Sequence, residues 1–251
     1  MRGFLLALQF LTIIPVRIKH VDAKKISASI IWFSFVGLLL GFILSATADL
    51  WHYLKFPALA TDILTVVLLV FLTGGMHLDG LSDTFDAIFS GKNKEEMLKI
   101  MRDSHAGVIG VLAVVSIILL KIAFLYSISI PLKPTALIIM CVLSRWSMVF
   151  SMFLFPYARE NGKAKPYIEG MDLKTLILST FVTLIFISAI FKTKGLLVFL
   201  LVIICAYLTG KSFNRKIGGI TGDTLGATNE IIETLTLFFV CIIERSNLWI
   251  I

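Results

Sequence analysis

Seven long apolar runs constrain this chain more than any other feature. They fall at about residues 27–48, 58–75, 107–128, 134–155, 174–191, 194–210 and 225–243. Each reaches or approaches the roughly 18–20 residues that carry an α-helix across a bilayer. The runs are continuous rather than alternating, so helices are expected and a barrel is not. Only 16% of the chain is charged, against about 25% in soluble domains. The expected fold is therefore all-α: a polytopic membrane bundle of about seven transmembrane helices, forming one membrane-embedded domain over 1–251. A shorter apolar run at 3–14, ended by the Ile14–Pro15 step, reads as an interfacial or re-entrant helix. The tail SNLWII (246–251) also reads as interfacial.

The net charge of +7 does not call for nucleic acid, because the basic residues are scattered over the loops. Under the seven-span reading, 16 Lys and Arg lie on the side of the N-terminus, including Arg17, Lys19, Lys24 and Lys25, and 5 on the other. Lys121 and Arg145 fall inside spans. This bias places the N-terminus and the aspartate stretch on the cytoplasmic side and the C-terminus outside. Cys141, Cys205 and Cys241 all sit in apolar runs, without metal-ligand spacing. Gly37 and Gly41 are spaced for close helix packing.

The stretch MHLDGLSDTFD (76–86) holds three of the nine aspartates. On a helix Asp83 lies about 40° from Asp79, and Asp86 about 20° to the other side, so three carboxylates form one stripe. Such a stripe repels itself unless a positive group sits against it, and a hard divalent cation is the simplest candidate. A turn at 90–94 and a charged helix from Glu95 to about Asp103 follow. A second polar island, 211–230, enters the last span on the same face. There Asp223 and Glu230 lie about 20° apart on one helix face, while Asn229 and Glu233 point elsewhere.

Two acidic clusters on one face suggest a shared Mg²⁺ site that grips a phosphate-linked substrate. The ligands expected are Asp79, Asp83 and Asp223. Asp86 is open between a third ligand and the base, Glu230 is a candidate proton acceptor, His77 reads equally as ligand, base or ordinary interface histidine, and Arg102 could hold a phosphate. Asp103, Arg145, Arg159 and Asn229 are further candidates for substrate contacts, Arg145 because an intramembrane arginine is functional by default.

Several motifs then carry a resemblance. GGMHLDGLSDTFD (74–86), KIMRDSHAGVIGV (99–111), ALQFLTIIP (7–15), PYAR (156–159) and TGDTLGA (221–227) resemble, in order and along the full chain, the cobalamin synthase family, also called adenosylcobinamide-GDP ribazoletransferases. The resemblance implies a membrane-embedded, Mg²⁺-dependent enzyme of the last stage of cobalamin assembly. It would join adenosylcobinamide-GDP to α-ribazole, or to α-ribazole 5′-phosphate, with release of GMP. Asp79, Asp83 and Asp86 match the family's HLDG segment, Arg102 and Asp103 its MRDS segment, and Asp223 its GD segment. Segment 160–166 departs from the glycine-rich stretch expected there. A CDP-alcohol phosphatidyltransferase is the nearest rival, but its Asp-Gly-x-x-Ala-Arg signature is missing. An ion-coupled carrier would place its acids at mid-bilayer within an internal repeat. The expected partners are the two substrates and the lipid bilayer, with room for a homo-oligomer.

Overall fold

The computed structural model describes residues 2–16, 18 and 22–246. Arg17, Lys19 and the 247–251 portion of the expected interfacial tail lie outside the described residues. Among those described there is no strand, only an isolated bridge between Tyr157 and Ile220. The helices are α1 (Arg2–Leu11), α2 (Ala23–Ala28), α3 (Phe33–Tyr53), α4 (Ala58–Thr73), α5 (Met76–Ile88), α6 (Lys94–Ile100), α7 (Val108–Ser127), α8 (Lys133–Leu154), α9 (Lys165–Glu169), α10 (Leu173–Ile217) and α11 (Gly222–Arg245). Five helical stretches are long and apolar enough to cross a membrane, and six if the bent pair α4–α5 counts as one.

The longest of these helices is two rods. Within α10, Lys192 leaves helical geometry with φ 52° and ψ −140°. The Trp146 indole donates to Thr180 Oγ1 at 3.0 Å, and its ring centroid lies 4.6 Å from that of Phe199. On a straight helix those two partners would stand about 28 Å apart. The chain therefore folds back at Lys192, and the two arms correspond to the apolar runs 174–191 and 194–210. Every expected run thus has its helical rod, although α4, with 16 residues, is short for a full crossing.

Helix α8 is the axis of the bundle, and every residue from Ala136 to Val149 is buried. Gly37 and Gly41 let α3 approach it closely: a β-carbon on Gly37 would strike the Cys141 carbonyl, and one on Gly41 would lie 2.5 Å from Ile138 Cα. In lipid, such small-residue contacts and interhelical hydrogen bonds replace the hydrophobic drive. Ser34 and Thr183 supply one such bond, Oγ to Oγ1 at 2.7 Å. Outside, Phe71 on α4, Val108 and Leu119 on α7, and Phe181 and Leu200 on α10 are exposed. This apolar outer surface is what a helical membrane protein presents to lipid.

The two ends of the bundle differ. At one end, Lys133 Nζ lies 2.6 Å from both carboxylate oxygens of Asp62, and Glu244 accepts from the Ser129 amide. At the other end α1, α5, α6, the loop 155–164 and the start of α11 converge. Ile13 donates to the Leu72 carbonyl (2.9 Å), and the loop is stitched to the approach to α11 by Ala158 N to Ile220 O (2.9 Å) and Ile220 N to Pro156 O (2.8 Å). The site is built at this end.

Candidate active site

A pair of glycines creates the corner from which the site is made. Gly74 and Gly75 have φ of 63° and 67°, in the left-handed region that side chains resist. They bend the chain by 88° between α4 and α5. Helix α5 therefore crosses the end of the bundle instead of continuing through it. Its seat against α11 depends on another glycine: a β-carbon on Gly80 would lie 2.7 Å from the Asp223 carbonyl oxygen. Gly226 in turn faces the His77 backbone, where a β-carbon would meet Cα at 3.2 Å.

This crossing brings the two acidic islands together around a cavity of about 390 Å³. Asp79, His77 and Met76 from α5 line it with Asp223 from α11, Arg159 and Lys163 from the 155–164 loop, Phe10 from α1 and Met148 from α8. Asp83, one turn past Asp79, is half-buried beside the cavity. Burial, helped by the charges of Asp79 and Asp223, pushes its carboxyl up from 3.8 to about 7. Against this crowd of negative charge, Arg159 Nη2 lies 2.6 Å from Asp223 Oδ2. Among the described residues no three acidic, His or Cys side chains stand in metal-holding geometry. The donor set nevertheless suits Mg²⁺ in kind, being all carboxylate oxygen beside a cavity open enough for substrate oxygens.

Four expected site residues, Asp86, Glu230, Arg145 and Asn229, have partners elsewhere. Asp86, open between third ligand and base in the sequence, accepts from Gly107 N (2.7 Å) and Gly110 N (2.8 Å). It caps the amino end of α7, where free N–H groups favour an anion. Glu230 is held by Lys121 Nζ at 2.6 Å. Arg145 bonds Glu233, as do Lys121 and, at 3.0 Å, Asn229 Nδ2. Lys121, Arg145, Glu230 and Glu233 thus form a buried cluster of two cations and two anions, behind the cavity rather than in its wall. Glu233 was expected to point elsewhere and Lys121 had no assigned role. Yet their charges balance inside a bundle where an unpaired charge is costly.

The remaining candidates divide. Arg102 and Asp103 do not line the cavity. Arg102 faces a second groove of about 370 Å³ with Lys99, Glu95 and Glu160, which Arg159 shares, and exposed Asp103 pairs with His105 Nδ1 at 2.6 Å. His77 stands two residues before Asp79, 200° round an ideal helix, and would share its face only if the helix started later. The cavity wraps the first turn of α5, so both residues line it. His77 is 2% exposed, and neither ring nitrogen has a partner among the described residues. Phe10, Met148 and Tyr157 were not anticipated, because their contribution comes from how α1 and α8 pack.

Comparison with known proteins shows the family. The sequence pattern of the cobalamin-5-phosphate synthase family matches residues 3–241. Relatives named adenosylcobinamide-GDP ribazoletransferase include one from Desulforamulus reducens, 38% identical over 94% of this chain and 94% of the relative. One from Acetivibrio thermocellus is 38% identical over 95% and 98%, and one from Fusobacterium nucleatum 35% identical over 97% and 98%. No solved structure matches. With a family pattern that covers nearly the whole chain and relatives that align end to end, this chain belongs to the cobalamin-5-phosphate synthase family.

Proposed function

We propose that the chain joins adenosylcobinamide-GDP to α-ribazole, or to α-ribazole 5′-phosphate, and releases GMP. The observation that carries this reading is the meeting of Asp79 and Asp223 at one cavity with Arg159, and of Asp83 beside it, in a chain of this family. Those three carboxylates would hold Mg²⁺, which when bound neutralises diphosphate charge and stabilises the leaving phosphate. Arg159 exchanges its bond to Asp223 for one to a substrate phosphate oxygen, a match suited to a guanidinium fork. A ribazole hydroxyl attacks the phosphorus on the cobinamide side. The P–O bond to the GMP phosphate breaks, and GMP departs with that oxygen.

The proton from the attacking hydroxyl passes to His77. Of the three candidate acceptors, Asp86 is occupied by two amides and Glu230 by Lys121, whereas His77 lines the cavity and its two buried ring nitrogens have no partner among the described residues; burial and the Arg145 charge hold its imidazole down to about 3, so it takes the proton only as the new P–O bond forms. The charge bias of the loops supports a cytoplasmic N-terminus and a cytoplasmic site in the prokaryotic inner membrane.

The test is the purified protein in liposomes with adenosylcobinamide-GDP, α-ribazole and Mg²⁺, analysed for GMP and a joined corrinoid product. Metal-dependent GMP release that survives Asp79→Asn and Asp83→Asn would refute the site. Absence of product from folded protein would refute the reaction.

A further inference from the structure

The cavity is lined by side chains of two unlike kinds. One kind is acidic and polar, Asp79 and Asp223 with Arg159. The other is Phe10 from α1, Met148 from α8, Met76 from α5 and Tyr157 from the loop. None of these four side chains can bind a phosphate by charge or ligate Mg²⁺ well, so the Proposed function leaves them without a task. They are flat or polarisable, which suits a planar ring system.

The Phe10 ring is held in place from behind. Its centroid lies 4.2 Å from that of Tyr167 and 5.8 Å from that of Phe33, and both partners are buried. Phe10 itself remains partly accessible at the cavity. A ring fixed on one side and open on the other is a stacking platform, with its orientation set before a ligand arrives. Met148, 2% exposed on the central helix, is similarly held. The volume, about 390 Å³, falls at the small end of ligand pockets. It suits one nucleoside-sized group and leaves a corrin macrocycle outside.

We infer that Phe10, Met148, Met76 and Tyr157 form the subsite for the planar, weakly polar base of the acceptor nucleoside, and so set acceptor specificity. This rests on the transferase reading of the same cavity. The base stacks against Phe10 while the ribose hydroxyls face the acidic side chains, where the attacked phosphorus must lie.

Direct binding separates the subsite from the reaction. α-Ribazole is titrated by calorimetry into the full-length protein in nanodiscs without the GDP-linked substrate, and Michaelis constants are measured for both substrates. Phe10→Leu is expected to weaken α-ribazole binding and raise its KM roughly tenfold, with KM for adenosylcobinamide-GDP within about twofold and Phe10→Tyr restoring both constants. Met76→Gln, at a position 42% exposed, is the second variant, spares the core and should shift the acceptor constants in the same direction. Failure of the unaltered protein to bind α-ribazole would overturn the subsite. So would variants that leave its binding unchanged, or that shift the GDP-linked substrate instead. Normal α-ribazole binding that falls in Phe10→Leu, in a protein that releases no GMP, would uphold the subsite and overturn the transferase reading alone.

Discussion

Gly80 of α5 rests against the backbone of Asp223 in α11, with no room for a β-carbon between them. This contact sets the spacing of the two acidic islands. Gly80→Ala should force the helices apart, at a cost of about 1–3 kcal/mol for overpacking. Turnover should fall by about 100-fold or more, because small displacements of positioned groups are expensive. Thermal melting and GMP release measured together check this: loss of rate with the melting temperature unchanged would place the defect wholly in the spacing.

The aspartates on one stripe should separate by role. Asp79→Asn, Asp83→Asn and Asp223→Asn should each cut GMP release by about 100-fold or more, with little effect on melting. Asp86→Ala should behave in the opposite way, losing about 1–2 kcal/mol of stability through the bared end of α7 while keeping most turnover. Equal rate losses at Asp79 and Asp86 would show that the cap assignment is wrong.

Metal binding should release a proton near neutral pH. The Asp83 carboxyl is raised to about 7 without metal, so at pH 6 most molecules carry a proton that a cation must displace. Mg²⁺ affinity should therefore fall by up to about tenfold for each pH unit below 7 and level off above it. The same raised pKa makes the metal-free protein less stable as pH climbs from about 4 to 7, because ionising this carboxyl is unfavourable in the folded state. Calorimetry in buffers of different ionisation enthalpy counts the proton, and Asp83→Asn should reduce the pH dependence to what Asp223, whose carboxyl burial also raises, contributes.

The buried charge cluster should tolerate paired loss better than single loss. Lys121→Met leaves two carboxylates facing one guanidinium and should cost roughly 3–5 kcal/mol. Adding Glu230→Gln restores the balance as Arg145 with Glu233, and most of the loss should return. Chemical denaturation in detergent across this double-mutant cycle measures the coupling, and additive losses would mean that the four groups do not act as a unit.

Apolar length made the rods legible, and the charge bias separated the two ends. The acidic stripe was legible for the same reason, since helical periodicity fixes which residues share a face. What periodicity cannot name is the neighbour across from that face. Asp86 is taken by amides more than twenty residues further along, and Glu230 by a lysine on another span. Both contacts exist only once α7 has packed against α5 and α11. The corner at Gly74–Gly75 left a faint signal in the paired glycines, though a helix boundary there is equally compatible with a straight continuation. Phe10 had no signal of its own, because its place depends on α1 docking beside the site.

The bend between α4 and α5 fixes more than a direction. With α4 upright, α5 lies flat, and Asp79 and Asp83 are spread sideways by about 6 Å at nearly the same depth. On an upright helix the same two carboxylates would differ in depth by that distance, and the inner one would lie further from water. In the proposed reaction, a pair lying flat would face a diphosphate laid along the membrane surface. A partner too large and polar to enter lipid can then be processed at the rim, with only its reacting linkage reaching over the edge.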